Sequence, residues 1–257
     1  MPLKVEGFSG GDRTAIELPA AQQQLVHDLS QALAATGKPL ILVLMNGSAL
    51  ALGDAANLSP AILEAWYPGQ AGGTAIAQTL FGDNNPSGRL PLTFYAATTQ
   101  LPAFDDYSMA NRTYRYFTGQ PLYPFGWGLS YTTFTYTGGK LTTPTLEAGQ
   151  PLEASVELKN TGHKSGTETI EFYLIPKSKP GAPLRALAAF QKVNLAPGAT
   201  TTIHTTIDPR QLSLVDAAGL RSIQPGDYDL YIGGHQPTPN SGVTLPFQIK
   251  GAASIAP

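Results

Sequence analysis

The sequence contains no cysteine among its 257 residues, and only 13% of them are charged. Disulfides, thiol nucleophiles and cysteine-ligated metals are therefore excluded for this chain. The net charge of −2 provides no basic field that would attract nucleic acid or an anionic membrane. The four histidines have no spacing typical of metal ligands; they are His27, His163, His204 and His235. The sequence therefore predicts no metal site and no nucleic-acid partner.

Long apolar runs are also absent. The longest, Leu40–Met45, is far shorter than the roughly 20 residues that a membrane-spanning helix needs, so we expect no membrane partner. The hydrophobic fraction of 42% still supports real cores, and 27 glycines with 22 prolines indicate many turns. A length of 257 residues accommodates one large domain or two ordinary ones.

The composition changes along the chain and divides it in two. The first half carries most of the alanine and leucine, whereas threonine and β-branched residues dominate from about Tyr131 onward. We place the domain boundary within Leu129–Tyr136. This predicts one domain at residues 1–130 and a second at residues 131–257.

Strand and helix patterns alternate in the first of these domains. They are a helix from Leu18-Pro19 to Gly37, a strand at Leu40–Met45, a strand at Ala61–Trp66, a helix at Gly72–Leu80 and a strand at Leu90–Phe94. The unbroken apolar character of Leu40–Met45 is typical of a strand that is buried on both faces of a parallel sheet. Gly82 is suited to close the second helix. This alternation predicts an α/β fold.

Two stretches of the first domain carry residue types that bind ligands. Asn46-Gly47-Ser48 follows the first strand at its C-terminal end, where α/β sheets place ligand loops, although a plain tight turn also explains it. The irregular stretch 96–128 combines carboxylates, arginines and aromatic residues, which suit sugar hydroxyls and the C–H face of a sugar ring. The alternative for this stretch is an ordered loop tied down by its own aromatic residues and an Arg–Asp pair.

The second domain shows about seven short strands with turn residues between them. Six of them are assigned to Leu152–Leu158, Glu168–Ile175, Leu184–Val193, Thr200–Ile207, Gly226–Gly233 and Val243–Ile249. Within Gly226–Gly233, the side chains of Tyr228, Leu230 and Ile232 should share one face. The pattern predicts an all-β sandwich of the immunoglobulin type. Because a Cys–Trp–Cys arrangement is absent, the closest type is the fibronectin type III-like sandwich.

Motifs in the same order along nearly the whole chain resemble those of the C-terminal region of glycoside hydrolase family 3, the β-glucosidase and β-xylosidase family. They are Gly11-Asp12-Arg13 with Leu18-Pro19 and Gln23, Asn46–Leu50, Trp66–Gly73, Phe81-Gly82-Asp83, Pro86–Phe94, Tyr114–Phe117 and Tyr123–Tyr131. In the second domain, Asn160-Thr161-Gly162 and Gly226-Asp227-Tyr228 match the fibronectin-like module that often ends these enzymes. Trp127 stands where the family more often has Tyr or His.

The resemblance implies a retaining glycosidase, in which a nucleophilic Asp and an acid/base Glu lie about 5–5.5 Å apart. It places the nucleophile on an N-terminal (β/α)8 barrel, which this chain lacks because it shows no eightfold alternation. It also places the acid/base Glu in a short acidic loop just before Gly11-Asp12-Arg13. In related sequences this loop would end about where Met1 begins.

The resemblance further suggests roles for individual residues. Glu6 is the only glutamate near the acid/base position and could serve there if the loop is rearranged; otherwise it is a surface residue. Asp105-Asp106-Tyr107 is expected at the rim of the active site. Asp12-Arg13 is expected to form a structural pair, and Arg89 is expected to bond turn carbonyls.

The implied partners are a β-linked oligosaccharide or glycoside and a (β/α)8 barrel from the same or another chain. The implied chemistry requires no metal and no organic cofactor, and the family favours a periplasmic or secreted location. If the chain is one part of such an enzyme, its first domain should expose an apolar face. The alternative is a non-catalytic module that binds carbohydrate or has a structural role.

Overall fold

The computed structural model describes residues 8–9, 12–216, 218–239 and 241–255, and the chain divides into two compact units. The first unit comprises Met1–Asn84, Leu92–Arg112 and Thr118–Pro124. The second unit comprises Asn85–Pro91, Thr113–Phe117 and Phe125–Pro257. Two short segments from the first half of the sequence thus belong to the second unit.

The first unit has a mixed α/β structure. In chain order its elements are β1 (Phe8–Ser9), β2 (Asp12–Arg13), α1 (Ala20–Ala34), β3 (Ile41–Leu44), α2 (Ala55–Leu58), β4 (Ala61–Glu64), α3 (Gly72–Phe81) and a 3-10 turn (Thr98–Gln100). β1 and β2 form an antiparallel pair. β3 and β4 form a parallel two-stranded sheet in which Ile41 pairs with Ala61 and Leu44 with Glu64.

The predicted helix boundaries of the first unit are confirmed within a few residues. Pro19 occupies the position before α1, where its missing N–H removes no helical hydrogen bond. Gly82 closes α3 in the left-handed conformation at φ 83°, which favours glycine because it has no β-carbon. No helix in the described part of the chain is long and apolar enough to cross a membrane.

Two predictions for the strands of the first unit are wrong. Leu90–Phe94 forms no strand; only Phe94 makes an isolated antiparallel bridge, with Tyr123. Pro91 interrupts the run because proline cannot donate a ladder hydrogen bond. Leu40–Met45 does contain a strand, β3, but it is not buried on both faces, since Ile41 is 43% exposed.

The second unit is built mainly from strands. They are β5 (Phe134–Leu141), β6 (Thr145–Glu147), β7 (Leu152–Asn160), β8 (Gly166–Pro176), β9 (Ala186–Leu195), β10 (Thr200–Ile207), β11 (Leu214–Val215), β12 (Arg221–Ile223), β13 (Gly226–Gly233), β14 (Val243–Lys250) and β15 (Ala253–Ser254). The unit also contains the helical turn α4 (Thr113–Tyr116) and a 3-10 turn at Pro209–Leu212.

These strands form two main sheets that share one core. One sheet has the order β10-β7-β5 and is antiparallel; the other has the order β6-β14-β13-β8-β9, in which β6 and β14 are parallel. A smaller sheet has the order β11-β12-β15. The core combines Val156 and Leu158 of β7 with Ile170 and Phe172 of β8, all 0% exposed. The predicted α/β region followed by an all-β sandwich is confirmed.

Tyr228, Leu230 and Ile232 of β13 share the core face as predicted, but Tyr231 between them is buried as well, at 2% exposed. Tyr228, Leu230 and Ile232 are each 0% exposed. Strand β5 was missed by the sequence analysis. Gly138-Gly139 interrupts its pattern, and the pairing with β7 shifts register between Thr137 and Lys140.

Candidate functional site

Asn46 and Glu64 lie side by side at the C-terminal ends of the parallel strands β3 and β4. Asn46 Nδ2 donates to Glu64 Oε2 at 3.3 Å and to the carbonyl of Ser48 at 2.7 Å. Burial raises the pKa of the Glu64 carboxyl, and hydrogen bonds from Trp66 and Asn46 lower it in part. The structure thus places the predicted loop at the sheet edge where α/β proteins bind ligands, and it adds a carboxylate from the neighbouring strand.

Trp66 adopts an unusual backbone conformation at this edge. Its φ is 53°, which is unfavourable for a bulky side chain. Its N–H donates to Glu64 Oε1 at 3.0 Å, and its ring meets Phe94 edge-on, with ring centroids 6.1 Å apart. The next residue, Tyr67, is 79% exposed. Strained backbone of this kind clusters at ligand and active sites, which marks this edge as a candidate functional site.

Arg13 connects β2 to the loop that follows β3. Its Nη2 donates to Ser48 Oγ at 3.1 Å and to the carbonyl of Ala49 at 3.2 Å. The predicted pairing of Arg13 with Asp12 stays a prediction, because the side chain of Asp12 is not among those that the structure describes. Glu6 also lies outside the described residues.

Arg112 pins the loop that contains the predicted rim residues. It donates to the carbonyls of Ala103 at 3.0 Å, Ser108 at 3.1 Å and Asp106. Asp106 Oδ1 accepts from the N–H of Ser108 at 2.8 Å. Hydrogen bonds from Ser108 lower the pKa of the Asp106 carboxyl, and the charge of Arg112 lowers it further. The arginine therefore stabilises this loop mainly through backbone carbonyls.

The same loop presents aromatic and acidic side chains to solvent. Phe104 is 98% exposed and Tyr107 is 90% exposed, and Asp105 and Asp106 between them are exposed as well. The three predicted rim residues, which are consecutive in sequence, thus lie on an exposed loop. Phe104 precedes them on the same loop.

Other aromatic residues of the stretch 96–128 have a structural role in the second unit. Tyr114 stacks on Phe125 with ring centroids 4.2 Å apart, and both rings meet Tyr173 edge-on at 6.0 and 6.4 Å. The Tyr114 hydroxyl accepts from the N–H of Leu187 at 3.0 Å. The alternative of an aromatic-anchored loop is therefore correct for Tyr114 and Phe125.

Arg89 forms a buried ion pair in the second unit. Its Nη2 lies 2.6 Å from Glu168 Oε2, and the two side chains are 9% and 5% exposed. The guanidinium also donates to the carbonyls of Gly88 and Gly234, both at 3.1 Å. Tyr136 donates to the other oxygen of Glu168 at 2.7 Å. The carbonyl bonds agree with the predicted structural role of Arg89, but the sequence analysis missed Glu168.

Glu171 is a second buried carboxyl in the same strand, β8. It is 4% exposed and accepts a hydrogen bond from the Tyr173 hydroxyl. Burial raises the pKa of Glu171 to about 7, despite the opposing effects of this hydrogen bond and of the Arg89 charge. Gly126, at φ 80°, packs so closely that a β-carbon there would lie 2.3 Å from Glu171 Oε2. The close contact and the positive φ together explain why position 126 of the motif Tyr123–Tyr131 is a glycine.

No cluster of potential metal ligands occurs in the described ranges of the chain.

Residues 3–131, half of the chain, match the glycosyl hydrolase family 3 C-terminal domain. The chain belongs to glycoside hydrolase family 3. Residues 168–236 match the fibronectin type III-like domain, in agreement with the observed sandwich.

Curated members of glycoside hydrolase family 3 are similar to most of this chain. A xylan 1,4-beta-xylosidase of Xylanibacter ruminicola is 44% identical over 234 residues, which cover 91% of this chain and 26% of that protein. A periplasmic beta-glucosidase of Salmonella typhimurium is 41% identical over 234 residues, which cover 86% of this chain and 30% of that protein. The chain thus spans between a quarter and a third of the length of these relatives.

Solved family 3 structures share the fold. The beta-glucosidase 3B of Thermotoga neapolitana in complex with alpha-D-glucose has a TM-score of 0.84 and 27% identity, with 99% of this chain and 37% of that chain covered. A beta-glucosidase of Listeria innocua in complex with glucose has a TM-score of 0.79 and 28% identity, with 94% of this chain and 34% of that chain covered. Here too, about a third of each enzyme corresponds to this chain.

Glu64 is the site residue that sequence reasoning missed in this family 3 chain. A signal was available, because Glu64 is the one charged residue in the short apolar run Ala61–Trp66. A lone carboxyl in a strand that pairs with an apolar neighbour requires a hydrogen-bond partner. Asn46 and the N–H of Trp66 are those partners.

Proposed function

We propose that this chain is the C-terminal part of a retaining β-glycosidase of the β-glucosidase or β-xylosidase type. Such an enzyme removes terminal β-linked sugars from oligosaccharides or glycosides. The observation that carries the proposal is the pattern of similarity: 86–91% of this chain aligns with two glycosidases, yet it spans only 26–30% of their length. The chain therefore supplies part of an enzyme whose other parts lie outside it.

In this proposal the nucleophilic Asp is on a (β/α)8 barrel, which belongs to the same or to another polypeptide. The present chain supports the loop that carries the acid/base Glu. Arg13 suits this task because it bonds β2 to Ser48 and Ala49, in the loop that follows β3. The acid/base precedes Gly11-Asp12-Arg13 in the polypeptide, and Glu6 takes that role only if the loop is rearranged.

The proposed rim of the substrate cleft is the loop with Asp105, Asp106 and Tyr107. Its carboxylates can accept hydrogen bonds from sugar hydroxyls, and its exposed aromatic ring can pack on the C–H face of a sugar. In the same proposal, residues 1–130 are the family's α/β domain and residues 131–257 are its fibronectin-like domain.

The isolated 257-residue chain should not hydrolyse aryl β-glucosides or aryl β-xylosides, because it lacks the nucleophile. We expect the wild-type chain and a Glu6→Gln variant to release no aryl group above the buffer rate, as measured by absorbance. Hydrolysis by the wild-type chain that the substitution abolishes would show that a catalytic pair lies inside these residues, and would contradict the proposal.

A second candidate function is non-catalytic carbohydrate binding. The exposed pair of Phe104 and Tyr107, on a loop fixed by Arg112, favours it. Two results together would support this alternative. Addition of xylobiose or cellobiose should change chemical shifts only within residues 104–127, and no complete enzyme that contains the chain should hydrolyse either sugar. No shift with either sugar would exclude it.

A further inference from the structure

The 46–48 loop, Asn46-Gly47-Ser48, is held on one side by the end of strand β4 and the residues that follow it. The Glu64 carboxylate accepts from Asn46 Nδ2 at 3.3 Å. The ring of Tyr67 lies so close to Gly47 that a β-carbon there would come within 2.5 Å of Tyr67 Cε2. Two side chains from one strand end thus contact consecutive residues of this loop.

The backbone of Trp66 explains how both contacts form. Trp66 lies between Glu64 and Tyr67, and its φ is 53°. Its N–H donates to Glu64 Oε1 at 3.0 Å, whereas Asn46 donates to Oε2, so each carboxylate oxygen accepts one hydrogen bond. A glutamine side chain has one oxygen for these two donors. The arrangement therefore requires a carboxylate at position 64.

The same loop also holds Arg13. The Arg13 guanidinium donates to Ser48 Oγ at 3.1 Å and to the carbonyl of Ala49 at 3.2 Å. Further along, the N–H of Ala51 donates to the carbonyl of Ile16 at 2.9 Å. The segment that begins at Arg13 therefore lies along the residues that follow β3.

Arg13 belongs to a hairpin that leads back along the chain. Strand β1 pairs with β2, and Phe8 lies opposite Arg13. The proposed function places the acid/base Glu in the loop that precedes Gly11-Asp12-Arg13. A displacement of Arg13 should therefore move this hairpin and the loop connected to it.

We propose that Glu64 is a positioning residue: through the 46–48 loop and Arg13, it fixes the loop that carries the acid/base glutamate. This inference rests on the proposed function, which places the acid/base just before the hairpin. In this role Glu64 contacts neither the substrate nor the nucleophile. Its replacement should misplace the acid/base without removing it.

The alternative is a purely local role, in which Glu64 only stabilises the end of β4. The two roles differ in the substrates that they affect. The acid/base gives its proton to the oxygen of the leaving group as the glycosidic bond breaks. A sugar leaving group needs this proton, whereas dinitrophenolate leaves as a stable anion. A misplaced acid/base therefore slows hydrolysis of a disaccharide selectively, but a general loss of folded enzyme slows both reactions.

The kinetic test uses residues 1–257 in place of the matched region of the Xylanibacter ruminicola xylosidase. We expect Glu64→Gln to lower kcat/KM for xylobiose by about 10–100-fold and for dinitrophenyl β-xyloside by less than about 3-fold, because a small misplacement of a catalytic group costs up to about 100-fold. Asn84→Ala is the control, since it removes a hydrogen bond to Thr79 at 3.1 Å elsewhere in the same unit. The control should leave both rates unchanged.

Two further measurements test the path from Glu64 to the hairpin. In the isolated chain, the NMR order parameter of the Arg13 amide should fall by about 0.2 or more in Glu64→Gln and remain unchanged in Asn84→Ala. In the chimera, Glu64→Gln combined with Arg13→Ala should cost no more xylobiose activity than Arg13→Ala alone. Substitutions that act through one chain of contacts are not additive.

Three results would overturn the inference. Equal losses of kcat/KM for both substrates would leave Glu64 a purely local role. Unchanged kinetics with an unchanged order parameter at Arg13 would remove the link from Glu64 to the hairpin, while the activity of the chimera still supported the proposed function. A chimera that is inactive before any substitution would contradict the proposed function itself, and with it the connection of this hairpin to an acid/base, even if the order parameter falls.

Discussion

Replacing Arg89 by alanine is expected to lower the free energy of unfolding of the second unit by about 3–5 kcal/mol, because it removes the cationic partner of the buried Glu168 side chain. The Glu168 side chain is only 5% exposed. The substitution also removes the donor to the carbonyls of Gly88 and Gly234. Since Arg89 belongs to the short segment Asn85–Pro91, the same change should loosen that segment from the second unit.

Urea unfolding measures this effect when the signal comes from the second unit alone. The chain has two tryptophans, and Trp127 is the one in the second unit, so its fluorescence in a Trp66→Phe background is the readout. Lys177→Ala is the matched control, because it breaks a partly exposed ion pair with Asp229 at 2.7 Å. The control should cost less than about 1 kcal/mol. A similarly small loss for Arg89→Ala would contradict the assigned role of the buried pair.

Glu171 should make the stability of the second unit depend on pH. Its folded-state pKa of about 7 lies above the ordinary value of 4.5, so the folded state holds the proton more tightly than the unfolded state. The stability contributed by this proton is fully present below pH 4.5 and is lost as the pH rises through about 7. Each pKa unit corresponds to about 1.4 kcal/mol.

The Glu171→Gln variant cannot titrate at this position. We therefore expect the free energy of unfolding of the wild type, relative to this variant, to fall by about 2–3 kcal/mol between pH 5 and pH 8. Glu157→Gln, at an exposed glutamate of β7, is the control. Because this variant retains Glu171, its free energy of unfolding should fall with pH as that of the wild type does. Parallel pH profiles for the wild type and Glu171→Gln would show that Glu171 titrates at an ordinary pKa in the folded protein.

The parts of the fold that sequence analysis predicted well are those with local causes. Thr200–Ile207 and Gly226–Gly233 were predicted to the residue because alternating side chains and flanking turns mark both ends. Leu90–Phe94 failed because a proline inside an apolar run outweighs its strand propensity. β5 was missed because Gly138-Gly139 hides the alternation.

The contacts that define the sites depend on residues far apart in sequence. Arg89 and Glu168 are separated by 79 positions, and Asn46 and Glu64 by 18. The location of the 46–48 loop was predictable, since it follows from the end of a strand. The backbone of Trp66 was not, because nothing in the sequence indicates that a tryptophan adopts φ 53°. Tertiary contacts decide such details, and local patterns do not encode them.

The central claim is that this chain works as one part of a β-glycosidase whose nucleophile lies elsewhere. It is tested most directly by a chimera in which residues 1–257 replace the matched region of the Xylanibacter ruminicola xylosidase. The measurement is kcat/KM for an aryl β-xyloside, compared with the same enzyme truncated before the matched region. The account predicts hydrolysis by the chimera and none by the truncated enzyme. A folded chimera without activity, or a truncated enzyme as active as the chimera, would contradict it.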